Sequence, residues 1–379
     1  MVGGIETITM ELAQRLARSA HSAGDDAVQV TVVTPKAEGA ANERDLPFSI
    51  VRKPSFTQLV RLIRGADILH VAGTDMLPLL LGWLLRKRVV VEHHSFQTVC
   101  PNGQMFYKPT QVPCPGHFMA GKHLRCLKCN VAGGLIYSLK RWLLTFPRRW
   151  LCLRAGANVI PTAWLGSILQ LPRMVTIHHG LHAGKSTVTP VVAGPPSVVC
   201  LGRLVSSKGV HILLQAVHQL RDHEFQLNII GDGPERARLE ADVRSLRLEG
   251  RVVFRGYLVA DEREQALASA KTVVIPSLRE TFGLVALENM LRGKVLIVSE
   301  IGALTEVIGD AGLAFPAGDA QALARCLERV LLSNELAEQM ARRAARRASS
   351  LFTPERMVDD HLALYRRLFD RFSNNDLCA

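Results

Sequence analysis

Short apolar runs rich in β-branched residues alternate with amphipathic stretches along most of this chain. Such alternation is typical of parallel β-sheets built from β–α–β units, so the pattern predicts an α/β fold. The first half predicts strands at residues 28–33, 68–71, 89–93, 158–161 and 175–178. The second half predicts strands at residues 198–201, 227–230, 252–254, 272–275 and 295–298.

The length of the chain indicates two domains. Its 379 residues, 48% of them hydrophobic, exceed what one hydrophobic core usually sustains. We expect an N-terminal domain over residues 1–185 and a second domain over residues 186–353, with a Pro- and Gly-bearing linker near residues 190–196. The last helix, residues 354–379, is expected to pack back on the first domain. Residues 98–130 show neither helical nor strand periodicity and are interpreted as a long Cys-rich insertion at a strand end.

The composition of the chain limits the classes of binding partner that we expect. The net charge of +12 and the pI near 9.6 favour an acidic partner such as a nucleotide diphosphate, a phospholipid surface or a nucleic acid. An aromatic content of 6% and the lack of a zinc-finger, RRM or KH signature argue against nucleic-acid binding. The longest apolar run, residues 77–85, is too short to span a membrane, and residues 1–6 do not resemble a secretory signal. We therefore expect a cytoplasmic protein.

The strongest chemical signal is the segment 276–288, PSLRETFGLVALE. A predicted strand ends at Pro276, a tight turn follows, and a helix is expected to begin near Gly283. The free backbone N–H groups at such a helix start suit an anion. Glu280 lies in the turn and Glu288 about two turns along the helix, so both carboxylates are expected to reach one elongated ligand.

Two further strand-end turns precede this segment. The stretch 201–209, LGRLVSSKG, places Arg203 and Lys208 after a predicted strand, and a diphosphate would be bound by both cations. In the turn 231–234, GDGP, two glycines permit close backbone approach. A single Arg, Lys or Glu is usually a solvated surface residue, so the inference depends on the order of these residues at strand ends.

These segments resemble the family-4 retaining glycosyltransferases of the GT-B superfamily. The motifs Gly-Arg-Leu-x3-Lys-Gly, Gly-x-Gly-Pro and Glu-x7-Glu carry the resemblance, which extends over about residues 198–308 and weakly to the C-terminus. It implies a GT-B fold, in which two Rossmann-like domains face each other across a cleft. It also implies that Arg203 and Lys208 hold the donor diphosphate, that Glu280 contacts the transferred sugar and that Glu288 binds the ribose. The implied donor-binding residues are Gly3, Gly4, Gly202, Gly231, Gly233, Phe282, Gly283, Leu284 and Glu288.

The N-terminus departs from the family pattern. Gly3-Gly4-Ile5-Glu6 resembles the Gly-Gly-x-Glu loop that in this family follows the first strand and approaches the donor phosphates and the acceptor. Here the chain starts at that loop. We therefore expect the first strand of the N-terminal sheet to be missing.

The acceptor side is predicted at the end of the strand near residue 92. Counting back from Cys100, His94 falls where many relatives carry the His of a His-Asp pair, with Ser95 in place of the Asp. The resemblance makes His94 the candidate catalytic residue of the acceptor side, and the adjacent His93 is the alternative. A strand-end histidine that only hydrogen-bonds a neighbour is the simpler interpretation.

The cysteines of the insertion are a candidate metal site. Four thiols are the number that a structural zinc prefers, and a reducing compartment favours a metal over disulfides. These cysteines are Cys100, Cys114, Cys126 and Cys129. Their spacing is not that of a standard finger, so metal-free thiols are the alternative, and His117 or His123 could replace a ligand. Some relatives with the His-x5-Cys-Pro arrangement carry a similar cysteine loop, and this resemblance implies that the loop shapes the acceptor pocket.

Residues 140–151 mix cations with Trp and Leu. This composition favours either contact with an anionic membrane, where the family's lipid-linked acceptors are found, or a core helix with a basic outer face.

Together these features predict a retaining, metal-independent glycosyltransferase. The expected donor is a UDP- or GDP-sugar, the acceptor is a sugar or a lipid-linked hydroxyl in glycan, polysaccharide or glycolipid assembly, and no cofactor is required. The inner face of the membrane is a candidate location, and no nucleic-acid partner is expected. The alternative is a non-catalytic scaffold of the same fold in a polysaccharide-assembly complex, which the missing strand and Ser95 favour.

Overall fold

The computed structural model of this chain describes residues 4–19, 28–36, 46–182 and 195–375. The chain divides into two units. The first unit comprises residues 1–104, 116–181 and 352–379, and the second comprises residues 105–115 and 182–351. This division differs from the sequence-based one mainly at residues 105–115, which come from the insertion and belong to the second unit. Most of the predicted linker lies outside the described residues.

The first unit contains two parallel sheets. One has four strands in the order β3, β4, β7, β8, and the other is the pair β1–β2. The strands are β1 (Thr31–Thr34), β2 (Ser49–Arg52), β3 (Ile68–Ala72), β4 (Arg88–Glu92), β7 (Ala157–Ile160) and β8 (Met174–Thr176). Strands β4 and β7 are apolar and almost wholly buried, as expected for central strands of a parallel sheet.

Seven helices of the described residues belong to the first unit. They are α1 (Gly4–Ser19), α2 (Phe56–Gly65), α3 (Met76–Leu84), α4 (His123–Asn130), α5 (Leu135–Arg154), α6 (Ala163–Leu169) and α14 (Pro354–Asn375). Two begin at ordinary caps, because the hydroxyls of Ser55 and Thr162 accept backbone N–H groups of α2 and α6. Helix α14 returns to the first unit, where Arg15 of α1 forms an ion pair with Glu355.

The second unit is built on one six-stranded parallel sheet in the order β11, β10, β9, β12, β13, β14. Its strands are β9 (Ser197–Leu201), β10 (Gln226–Ile230), β11 (Val252–Gly256), β12 (Ala270–Ile275), β13 (Val295–Ser299) and β14 (Leu313–Phe315). Its helices are α7 (Val210–Gln219), α8 (Arg236–Ser245), α9 (Ala260–Ala268), α10 (Leu284–Leu291), α11 (Gly302–Ile308), α12 (Ala320–Leu332) and α13 (Asn334–Leu351). This strand order is that of a Rossmann fold, in which the topology reverses between the first and fourth strands, here β9 and β12. The predicted α/β class is confirmed.

Part of the insertion forms a β-hairpin of the second unit. Strands β5 (Phe106–Tyr107) and β6 (Val112–Pro113) pair antiparallel. The side chain of Phe106 is buried in the core of this unit. The guanidinium of Arg279 donates hydrogen bonds to the carbonyl oxygens of Met105 and Cys114, at 3.2 Å and 3.1 Å. These contacts explain why residues 105–115 group with the second unit.

The prediction that residues 98–130 lack regular structure is wrong, because they contain the β5–β6 hairpin and helix α4. The buried face of helix α4 consists of Cys126, Cys129 and Asn130 and not of aliphatic residues. A search for periodic aliphatic residues therefore does not detect this helix. The expected absence of a first strand concerns residues before Gly4, which lie outside the described part of the chain.

Candidate functional site

The three predicted strand-end turns meet at one edge of the sheet of the second unit. Strands β9 and β12 are neighbours, and β10 pairs with the other side of β9. Because all three strands are parallel, the turns that follow them lie at the carboxyl edge, beside the topological switch point. In open α/β sheets this is where ligands bind.

The glycines of these turns allow the loops to fit against each other. A Cβ atom on Gly231, which has φ of +132°, would lie 2.0 Å from the carbonyl oxygen of Gly202. The N–H of Gly202 donates to Ile230 at 2.9 Å, and the N–H of Leu204 donates to Asp232 at 2.9 Å. The same crowding occurs at Gly233, where a Cβ would lie 2.4 Å from the carbonyl oxygen of Leu204. The close backbone approach predicted for the GDGP turn is therefore made to the loop after β9.

Lys208 and Glu280 form an ion pair in this region. Lys208 ends a 3₁₀ turn, Ser206–Lys208, that leads into α7, and Glu280 lies in the turn after β12. The buried hydroxyl of Ser277 also donates to the Glu280 carboxylate, at 3.0 Å. The carboxylate is thus fixed by two donors, and it fixes the ammonium group in return.

The pair lines a pocket that also contains Arg203. Its lining residues are Cys200, Leu201, Gly202, Arg203, Leu204, Lys208, Val210, Val274, Ile275, Pro276, Ser277, Glu280 and Val285. Burial raises the pKa of the Cys200 thiol to about 12, so that thiol stays neutral. The pocket lining therefore carries two cations and one carboxylate, a balance that favours an anionic ligand.

Helix α10 begins beside this pocket. Gly283 is its N-cap residue, with φ of 103°, and no side chain caps the helix start. The first N–H groups of a helix have no intrahelical acceptor and carry the positive end of the helix dipole. Phe282 is buried, whereas Leu284 and Val285 are half-buried, and Val285 lines the pocket. The backbone N–H groups at the start of α10 therefore favour an anionic ligand in this pocket, as Arg203 and Lys208 do.

Glu288 lies one turn beyond Val285 on α10 and is not among the residues that line the pocket. One oxygen of its carboxylate is 4.0 Å from the guanidinium of Arg263. Arg292, one turn further along, donates to the backbone carbonyl of Glu288 at 2.7 Å. The two carboxylates of the Glu-x7-Glu motif therefore lie on one segment but have different partners.

In the first unit, His94 lies in a buried cluster around Glu92. Its Nε2 atom is 3.7 Å from a carboxylate oxygen of Glu92, and its ring stacks on that of His179 with centroids 5.3 Å apart. Burial lowers the pKa of His94. Burial alone would raise the pKa of Glu92, but His94, His70 and His361 hold it well below its usual value. The carboxylate is therefore ionised.

The neighbouring His93 is a structural residue in this geometry. It is fully buried, and its Nε2 atom is 2.8 Å from the side-chain oxygen of Asn158. The amide group of Asn158 donates to two backbone carbonyl groups, so its oxygen accepts from His93. Burial lowers the pKa of His93 to about 4, which keeps the imidazole neutral.

The sequence reasoning missed most of the Glu92 cluster. The sequence marks Glu92 only by its position near the end of a predicted strand, and three of its contacts come from distant segments. They are His70 on β3, His179 after β8, and His361 on α14. The paired histidines 178–179, which follow a predicted strand as residues 93–94 do, were the one signal available.

The insertion cysteines are present as thiols. The thiol of Cys100 donates to the side-chain oxygen of Asn102 at 3.0 Å, and the Asn102 amide donates to the sulfur of Cys129 at 3.1 Å. Over the described residues, two groups of three or more His, Cys, Asp or Glu ligand atoms lie close enough to share a metal ion, and neither contains a cysteine. Zinc at the cysteines stays a prediction.

Of the Gly-Gly-x-Glu loop, Gly4 begins α1 and Gly3 lies outside the described residues.

Comparisons with known proteins place this site in a family. A model of the family described as "Glycosyl transferases group 1" matches residues 186–347, which contain the ion pair and the strand-end turns. The lipopolysaccharide core biosynthesis glycosyltransferase LpsE of Rhizobium meliloti is 32% identical over 331 residues, which are 86% of this chain and 85% of LpsE. The 2-deoxystreptamine glucosyltransferase of Streptomyces kanamyceticus is 36% identical over 143 residues, 36% of this chain and 37% of that relative. The chain thus matches little more than a third of the second relative.

A solved structure of Anabaena HepE in complex with UDP and glucose has the same fold. The TM-score is 0.69 at 19% identity, and the match covers 96% of each chain. At this identity the likeness concerns the fold, and it confirms the predicted GT-B class with two Rossmann-like domains. The similarity to LpsE over most of both chains, together with the family match to residues 186–347, shows that this chain belongs to the group 1 glycosyltransferases.

Proposed function

We propose that this chain transfers a sugar from a UDP- or GDP-sugar to an acceptor hydroxyl in glycan, polysaccharide or glycolipid assembly. The observation that carries the proposal is the Lys208–Glu280 ion pair, which lies with Arg203 in a pocket at the switch point of the second unit. Membership of the family supports it. LpsE is named for lipopolysaccharide core biosynthesis, and the HepE structure contains UDP and glucose, which makes UDP the first nucleotide to test.

Arg203 and Lys208 are proposed to bind the diphosphate of the donor. Before the donor arrives, Glu280 and Lys208 hold each other in place, and a diphosphate would then replace Glu280 as the stronger partner of the ammonium group. Negative charge grows on the leaving nucleotide as the bond to the sugar breaks. Two cations at this position would stabilise that charge, so we expect transfer to need no divalent metal.

The start of α10 and the carboxylate of Glu280 are proposed to hold the sugar and phosphate, and Glu288 the ribose. The N–H groups after Gly283 face an anion favourably, and Glu280 can accept hydrogen bonds from sugar hydroxyls once the diphosphate engages Lys208. Glu288 lies one turn beyond the pocket, at the distance along the helix where a longer ligand would extend.

Retention is proposed to follow a front-face route. A double displacement would need a carboxylate nucleophile on the opposite face of the sugar from the leaving group. Among the described residues that line the pocket, Glu280 is the single carboxylate, and Lys208 and Ser277 already engage it. The leaving phosphate would take the acceptor proton. Because His94 faces Glu92, we propose that it positions the acceptor side rather than transferring a proton.

Calorimetric titration with UDP, GDP and ADP tests the proposed donor site. We expect selective binding of UDP or GDP, lost in Glu288→Ala and Arg203→Ala. The control is Arg244→Ala, which removes another exposed arginine of the same unit on α8 and should leave binding unchanged. Failure of the folded chain to bind any of these nucleotides would contradict the proposal and favour the scaffold alternative.

We also propose that α3 and α5 of the first unit contact an anionic membrane. Apolar side chains on one face of α5 recur every three or four residues and are exposed: Leu135, Ile136, Leu139, Leu143, Phe146, Trp150 and Leu153. Helix α3 continues this face, since the rings of Trp83 and Trp150 are in contact with centroids 4.9 Å apart. An exposed apolar face of this extent is typical of an interaction surface.

The charges around this apolar face favour an anionic membrane as its partner. Residues 93–221 contain no Asp or Glu, and exposed cations flank the apolar side chains, including Lys128, Lys140 and Arg154. Cations beside an apolar helix face are the composition of helices that lie in the interface of anionic lipids. Among the described residues, no helix is long and apolar enough to cross a bilayer. The membrane would present the lipid-linked acceptor.

A further inference from the structure

Three ligand-type side chains of the first unit converge at one position. They are His70 on β3, Glu92 at the end of β4, and His361 on α14, and one ligand atom from each lies within 4.8 Å of the others. The distance between His70 Nε2 and a Glu92 carboxylate oxygen is 3.1 Å. Glu92 and His361 are each 1% exposed.

His361 presents a buried nitrogen lone pair to this group. Its Nδ1 atom is 2.7 Å from the carbonyl oxygen of Met357, and a carbonyl oxygen only accepts, so Nδ1 carries the ring proton. Its Nε2 atom is therefore an acceptor, and it is buried without a hydrogen-bond partner in the described structure. A buried lone pair beside a carboxylate is unfavourable unless a cation lies between them.

His70 connects Tyr365 to Glu92. Its Nδ1 atom is 2.6 Å from the hydroxyl of Tyr365, and its Nε2 atom donates to the ionised carboxylate of Glu92. A bound cation would replace that proton and hold the tautomer in which Nδ1 donates to Tyr365. Histidine ligands of metals characteristically donate their second ring N–H to a carbonyl, carboxylate or similar group, which fixes ring and tautomer.

The supports of both histidines come from one stripe of α14. Met357, His361 and Tyr365 are spaced by four residues, so they lie on successive turns of the same helix face. This face supplies the candidate ligand His361. It also supplies the partners of the two Nδ1 atoms, the carbonyl of Met357 for His361 and the hydroxyl of Tyr365 for His70. The arrangement joins the C-terminal helix to β3 and β4.

We propose that His70, Glu92 and His361 bind one divalent transition-metal ion, of which Zn²⁺ is the best match. Two neutral imidazoles and one carboxylate are ligands that zinc accepts, at bond lengths that place ligand atoms about 3 to 3.5 Å apart. The ion supplies the missing partner of the His361 nitrogen and clamps α14 to the sheet. The three protein ligands leave the fourth coordination position to a water molecule.

Cobalt titration of the full chain, stripped of metal by a chelator, tests this site. We expect about one Co²⁺ per chain, with the visible absorption of nitrogen and oxygen ligation and without the near-ultraviolet bands of thiolate ligation. Binding should be lost in His361→Gln and His70→Gln, and Tyr365→Phe should weaken it roughly 10- to 100-fold. The matched control is His218→Gln, because His218 of the second unit also bonds a backbone carbonyl through Nδ1, at 3.1 Å.

Three outcomes would overturn the proposal. They are no cobalt binding by the folded chain, binding with thiolate bands that disappears in Cys126→Ser, and binding that His179→Gln removes while His361→Gln does not. The last would assign the ion to the alternative group of Glu92, His94 and His179. If His361→Gln does not fold, Tyr365→Phe and the rise in melting temperature of the wild-type chain with added Zn²⁺ decide instead.

Discussion

At the scale of single residues, the proposed donor pocket depends on a few charges held in place by their neighbours. Glu280 accepts from Lys208 and Ser277, and the buried Cys200 thiol of the same pocket is kept neutral because burial raises its pKa to about 12. The motif spacing identified Lys208 and Glu280, but Ser277 and Cys200 were visible only through their contacts.

Replacing Lys208 by Met should lower the turnover number for sugar transfer roughly 100- to 1000-fold, since one preorganised charge at the leaving group is lost. It would also leave Glu280 facing the donor phosphates without its cation. The measurement is steady-state transfer with the nucleotide-sugar that binding selects. Lys271→Met is the control, because Lys271 lies at the start of β12, away from the carboxyl edge, where it bonds Leu331 and Asn334. An unchanged turnover number in a folded Lys208→Met chain would remove Lys208 from the mechanism.

At the scale of elements, strands were predicted well and short or polar elements poorly. Each predicted strand overlaps an observed one, because β-branched runs in parallel sheets are buried on both faces. Strands β2 and β14 were not predicted, and α4 was missed because it buries cysteines. The hairpin β5–β6 was missed because Arg279 and the core around Phe106 hold it, and both partners are distant in sequence.

The contact between the loops after β9 and β10 makes Gly231 irreplaceable. In Gly231→Ala the new methyl group would collide with the Gly202 carbonyl, and φ of +132° would strain any side chain. We expect the free energy of unfolding to fall by about 1–3 kcal/mol, with weaker nucleotide binding. Gly250→Ala is the matched control, because its Cβ would meet nothing within 4 Å, and it should be neutral or stabilise by about 0.4–1 kcal/mol. Urea unfolding of both variants checks this, and equal stabilities would contradict it.

At the scale of the whole molecule, charge is distributed unevenly along the chain. The net charge of +12 arises largely from a central stretch, residues 93–221, that has no acidic residue. This stretch includes the apolar face of α5 in the first unit, and Arg203 and Lys208 in the second. The same charge bias therefore supports both proposed anionic partners, a diphosphate and a lipid surface.

The membrane proposal predicts binding to vesicles that contain anionic lipids and weaker binding to neutral ones, with affinity that falls as salt rises. Ile136→Glu combined with Leu143→Glu should reduce vesicle binding at least about tenfold, since each substitution removes an apolar side chain from the proposed membrane contact and adds a charge that anionic lipids repel. Leu332→Glu is the control, because Leu332 is similarly exposed but lies on α12 of the second unit. Vesicle sedimentation measures the effect, and equal binding by all three chains would contradict the proposal.

The sequence by itself determined the α/β class, the two-part organisation and the positions of the strand-end motifs, because strand periodicity and strand-end motifs are local properties of the chain. Tertiary structure alone decided which charges meet. Glu92 gathers histidines from β3, from α14 and from the segments that follow β4 and β8, and the insertion divides between the two units, since long-range packing brings together residues that no local pattern connects. The Lys208–Glu280 pair depends on both the sequence motifs and the tertiary structure. The motif order placed both residues at strand ends, and the adjacency of β9 and β12 brought them into contact.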